Sequence, residues 1–165
     1  MTSSAEQQQQ QHDDTWRGVE LRRIGAGRYL ASNGRGGVLP VGRGADPDFT
    51  PVELLLAAIA GCSAVDIELV TGKRVDPDHV HLAVEGHKTR DQDGNHLTGL
   101  RVTVDLGFPA GADGDRARSM LPRAVEQTRD RLCTVSRTVQ LATPVDYHLA
   151  DPADPADPAA PAEPS

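Results

Sequence analysis

The segment Pro51–Val70, PVELLLAAIAGCSAVDIELV, constrains this chain more than any other. Thr50 fits an N-cap, Pro51 the first helical position, and Glu53 the reciprocal acid of a T-x-x-E capping box, so a helix begins at Pro51. It is expected to run to about Thr71, with Gly72-Lys73-Arg74 as its stop. Val52, Leu54, Leu55, Leu56, Ala57, Ala58, Ile59 and Ala60 leave it apolar nearly all round. Such a helix must be covered on every side. One small sheet covers one side, so a second copy of the chain is the simplest source of the rest. Glu53, Asp66 and Glu68 within the segment argue against a membrane span.

The flanking pattern reads β–β–β–α–β–β–α–β. Val19–Ile24 and Arg28–Ser32 are expected strands joined at Gly25-Ala26-Gly27, and Gly37–Val41 follows Asn33-Gly34 as a third. His79–Arg90 and Leu97–Phe108 form a hairpin around Asp93-Gly94-Asn95. Val80, Leu82 and Val84 alternate with His81, Ala83 and Glu85, so each strand has one buried and one wet face. Residues 113–132 read as a second helical region, begun by Asp113 or Asp115 and kinked at Pro122. Val135–Leu149 is expected as a last strand. The fold class is α+β: an antiparallel sheet of about six strands with a long apolar helix and a second helical region.

The ends differ from this middle. Residues 1–14 are glutamine-rich and polar, and residues 151–165 repeat Asp-Pro-Ala; both are expected to be disordered tails around one domain at 15–150. The net charge of −7 argues against a general nucleic-acid surface. The amino-terminal stretch lacks the basic start and apolar run of a secretory signal, so a cytoplasmic location is expected. Thiols are kept reduced there, and a disulfide in that compartment is more often catalytic or redox-sensing than structural.

Only two cysteines are present. Cys62 lies about three turns into the apolar helix among Ala60, Gly61, Ser63 and Ala64, small neighbours that leave room for an approaching molecule. It can equally be a core residue behaving as a small hydrophobe. Cys133 leaves the second helical region beside Arg129, Arg131 and Arg137, cations that favour a thiolate. An unpaired thiol or a structural disulfide remains open for it. Glu53 is explained by capping alone. If it also serves a cysteine, helical geometry puts it half a turn and about 13 Å away from Cys62 on one straight helix, so it would serve the Cys62 of a second subunit. Histidines 79 and 81 share a strand face, but no third metal ligand falls at a recognised spacing, so no metal is expected. The NGRGG run lacks the context of a phosphate loop, and no cofactor signature is present.

The run TPVELLLAAIAGCSAVD, with the later LCTVS, resembles the OsmC/Ohr family of thiol-dependent peroxidases, and its OsmC-like branch in particular. The resemblance spans roughly residues 17–149. It implies an intertwined homodimer with two central helices back to back and active sites at the subunit interface. It implies Cys62 as the peroxidatic cysteine, attacking the O–O bond of an organic hydroperoxide to become a sulfenic acid, and Cys133 as the resolving cysteine. The resulting Cys62–Cys133 disulfide would be reduced by a dithiol. Glu53 would hold an arginine near the sulfur, with Arg28 the first choice and Arg35 the reserve; that cation would lower the thiol pKa and bind the peroxide oxygen. The alternative is a non-enzymatic redox-sensing or ligand-binding dimer of the same fold.

Overall fold

The structure, a computed structural model, describes residues 15–72 and 75–149. Both expected tails, and the Lys73-Arg74 part of the expected helix stop, lie outside the described residues. The three amino-terminal strands are β1 (Val19–Gly25), β2 (Arg28–Asn33) and β3 (Val38–Val41), paired antiparallel in that order. Gly27 takes a left-handed φ of 71° in the tight β1–β2 turn, where a side chain would be strained. Gly42 donates its N–H to the Phe49 carbonyl, closing the loop that delivers the chain to the long helix.

That helix, α1 (Pro51–Thr71), starts where the capping box predicts. Thr50 Oγ1 accepts from the Glu53 N–H, and the Glu53 carboxylate accepts from both the N–H and the hydroxyl of Thr50, at 2.7 and 2.8 Å. Ile59, Ser63, Ile67 and Thr71 recur every four residues as its buried stripe. Val65 and Leu69 remain 68% and 65% exposed, so one chain leaves an apolar flank of α1 uncovered. By length and composition α1 is long and apolar enough to cross a membrane, but in this fold it packs against β4, α2 and α3.

Strands β4 (His79–Asp91) and β5 (Gly94–Gly107) form the long hairpin, closed by the Gln92-Asp93 loop with Gly94 at φ 117°. Val80, Leu82 and Val84 point inward while His79, His81, Ala83 and Glu85 face water, as the alternation requires. The register shifts between Glu85 and His87, where Gly86 admits the Leu100 side chain; a Cβ at Gly86 would stand 2.8 Å from Leu100 Cδ2. The core gathers between this hairpin and the helices: Ile67, Leu106, Phe108, Ala117 and Ala124, ringed by Val70, Val80, Leu82, Val104, Leu121 and Val125.

The second helix, α2 (Ala112–Gln127), has Gly111 rather than an aspartate at its N-cap; Asp113 and Asp115 lie inside its first turn, and Pro122 inside its body. A π-helical turn, Thr128–Leu132, follows without a break, with the Cys133 N–H reaching back five residues to the Thr128 carbonyl at 3.1 Å.

Two expectations about strands are corrected. Val135–Leu149 is not one strand: Thr134–Gln140 forms a third helix, α3, and residues 143–149 run on outside any ladder. The β-branched Val135, Thr138 and Val139 favour a strand, but local hydrogen bonds decide otherwise. Cys133 caps the helix by accepting from the Ser136 N–H, and the Thr138 hydroxyl donates to the Thr134 carbonyl. The described residues accordingly contain five strands, in separate sheets of three and two, rather than one sheet of about six.

Candidate functional site

The two cysteines come together. Cys62 sits mid-way along α1, and Cys133 stands between the π-turn and α3, buried completely. Both are free thiols, and their sulfurs and an Asp66 carboxylate oxygen all lie within 4.8 Å of one another. α1 packs on the π-turn and on α3, which is how residues far apart in sequence meet. A disulfide needs about 2.05 Å between sulfurs, so the two thiols are neighbours but not bridged.

Hydrogen bonds favour the two sulfurs unequally. Burial pushes the Cys133 thiol up, but donation from the Ser136 side chain and backbone, from Cys62 and from Ser63 outweighs it, and the thiol ends below its ordinary value. The contacts are 3.2 Å to Ser136 Oγ, 3.4 Å from the Ser136 N–H and 3.8 Å from the Ser63 hydroxyl. Cys62 moves the other way. Burial raises it, the Val135 N–H opposes, and proximity to Cys133 and Asp66 raises it further. Its S–H faces Asp66 Oδ2 at 3.9 Å. Within one chain the surroundings therefore favour a thiolate more at the buried Cys133 than at the half-buried Cys62.

Arg28 and Glu53 are not brought to the sulfurs in the single chain. The Arg28 guanidinium grips Asp48 through two hydrogen bonds of 3.0 and 2.8 Å, which raises its own pKa further. The Glu53 carboxylate is occupied by Thr50, whose backbone and side-chain hydrogen bonds hold it below the usual carboxylate range. Arg35, the reserve, lies in the β2–β3 turn, its N–H donating to Asn33 Oδ1. His79 bonds Asp105 at 3.1 Å and His96 faces Asp91 at 3.6 Å, both as exposed surface pairs.

Three side chains at the site escaped the sequence reading. Asp66 is one helical turn beyond Cys62, and Ser136 three residues beyond Cys133, so i,i+4 and i,i+3 spacing carried both signals. Ser63 had none, because its hydroxyl matters only through Cys133. An apolar cavity of about 380 Å³ opens beside these residues, walled by Ile59, Ile67, Val102 and Thr128 and reaching Ser63 and Ser136.

The chain is an α+β protein that brings two free thiols together against a long apolar helix. The OsmC-like protein family matches residues 44–148, and the chain belongs to that family, which includes peroxidases. An uncharacterized protein of Mycobacterium tuberculosis is 32% identical over 133 residues, covering 79% of this chain and 94% of its own. An OsmC-like protein from Mycoplasma pneumoniae shares the fold with a TM-score of 0.63 at 15% identity, covering 78% of this chain and 89% of that one. An OsmC-like protein of unknown function from Vibrio cholerae gives 0.64 at 10% identity, covering 76% and 94%.

Proposed function

We propose that this protein is a thiol-dependent peroxidase that reduces organic hydroperoxides. The observation that carries the reading is the meeting of the two cysteines, both reduced, across a long sequence separation. In the reaction the Cys62 thiolate attacks the O–O bond, the leaving alkoxide takes a proton from solvent and departs as an alcohol, and Cys62 is left as a sulfenic acid. The Cys133 sulfur attacks that sulfur, its thiol proton passing to the departing hydroxyl, which leaves as water, and the Cys62–Cys133 disulfide forms. A dithiol reductant then supplies two electrons and two protons to restore both thiols.

Accessibility supports Cys62 as the attacking sulfur, because Cys133 is wholly buried. The raised Cys62 pKa is then a property of the single chain, lacking a cation. A second copy would supply it. Leu55, Ala58, Cys62, Val65 and Leu69 recur at helical spacing, so covering the exposed flank of α1 brings the partner against the sulfur. The homodimer's Arg28, with Glu53 positioning it, is the proposed activator across that interface, in a cytoplasmic setting. The second reading, a redox-sensing or ligand-binding dimer, is favoured by one observation: Arg28 is already committed to Asp48.

Steady-state consumption of cumene hydroperoxide with a dithiol reductant is the test. Turnover by wild type, abolished in Cys62→Ser, is expected, with Cys133→Ser still forming the sulfenic acid but no disulfide. No wild-type turnover, or equal turnover by Cys62→Ser, overturns the peroxidase reading.

A further inference from the structure

We propose that Cys62, Asp66 and Cys133 form a binding site for a thiophilic divalent cation, zinc foremost, held by two thiolate sulfurs and one carboxylate oxygen. Three observations converge on it. The ligand atoms already lie within 4.8 Å of one another. A tetrahedral zinc with Zn–S near 2.3 Å and Zn–O near 2.1 Å spaces its ligands roughly 3.5–3.8 Å apart. The Cys62 sulfur and Asp66 Oδ2 stand at 3.9 Å, so that edge is nearly formed.

The second observation is Asp66 itself. It is half-buried on an apolar helix, and its hydrogen-bond partner is a thiol rather than a basic side chain. Among the described residues it makes no ion pair. A carboxylate withdrawn from water beside two sulfurs gains most from a positive charge placed between them.

The third is the surrounding hydrogen bonding. The Ser136 N–H and the Ser63 hydroxyl already donate to the Cys133 sulfur, which is how coordinated thiolates are oriented and their charge spread. Two sulfurs and one oxygen select zinc over magnesium or calcium, whose preferred ligands are all oxygen. Three protein ligands leave a fourth position for water or for Ser136 Oγ, 3.2 Å from the Cys133 sulfur. Binding releases the two thiol protons to solvent.

The inference stands on this geometry and not on the peroxidase reading. If both hold, metal and hydroperoxide compete for the same two sulfurs.

The test uses the reduced, chelator-stripped full chain titrated with cobalt(II), then with zinc. One cobalt per chain with thiolate-to-cobalt charge-transfer bands, displaced by zinc, is expected. Zinc should also protect the half-buried Cys62 of the wild-type protein from iodoacetamide, a readout that requires no variant to fold. Asp66→Asn should weaken cobalt binding by about tenfold or more while keeping the charge-transfer bands. Cys62→Ser should diminish those bands. Cobalt binding without charge-transfer bands, unchanged affinity in Asp66→Asn, or no protection by zinc overturns the site. Cobalt bands in a protein that consumes no hydroperoxide would leave the site standing and remove the peroxidase reading; turnover without bands would do the reverse.

Discussion

Ile67 joins the site to the core, and replacing it measures how firmly the fold holds the thiol pair. Its side chain is 1% exposed and packs in the cluster with Leu106, Phe108, Ala117 and Ala124. Ile67→Ala removes three carbons, about 2.4 kcal/mol of lost transfer free energy at roughly 0.8 per carbon. The void left behind adds to that. Ile67 also borders the 380 Å³ cavity, so its neighbours are rigid strands and helices on one side and empty space on the other, a poor setting for collapse. A total near 4 kcal/mol is expected, within the range for buried Ile→Ala changes. Ile59 is nearly as buried, at 4%, and borders the same cavity but lies outside the core cluster, so Ile59→Ala should cost about 2–3 kcal/mol. Urea denaturation at one fixed protein concentration gives both values, with similar slopes expected. A loss below about 2 kcal/mol for Ile67→Ala, or a larger loss at Ile59, would refute this account of the core.

Two further expectations concern single groups. The Thr128 hydroxyl is buried and has no hydrogen-bond partner among the described residues, so Thr128→Val should stabilise the protein by about 1 kcal/mol in the same denaturation assay; a loss of stability would show that the hydroxyl is satisfied. Glu53 has a folded-state pKa below its unfolded value, so its contribution is fully present above the unfolded value of about 4.3 and is lost as pH falls through the lower folded value. Glu53→Gln should therefore flatten the acid side of the stability–pH curve, and an unchanged acid limb in that variant would count against the capping box as its cause.

Much of the fold was legible because its signals are local. The T-x-x-E box fixed the start of α1, and single-residue alternation revealed which face of the β4–β5 hairpin is buried. The misread segment after Cys133 shows where local signals compete. Val135, Thr138 and Val139 carry strand propensity, yet one capping sulfur and one back-bonded hydroxyl suffice for a two-turn helix. The site was half legible. With two cysteines there was one possible pair, and Asp66 and Ser136 stood at helical spacings that the reading did not weigh. The Arg28–Asp48 pair was not legible, since it links a strand to a loop through contacts that no periodicity encodes.

The π-turn before Cys133 sets an angle as well as a path. An α-helix advances about 100° per residue, and a turn closed at five residues instead of four holds one residue more than its neighbours. Removing a residue from Thr128–Leu132 would let the turn close with regular i→i−4 hydrogen bonds but turn everything beyond it by about a quarter circle. Cys133, Ser136 and the start of α3 would then face away from Cys62 together. The single irregular turn works as the phase setting of the site: the two sulfurs meet because one helix carries a residue that a regular helix has no room for.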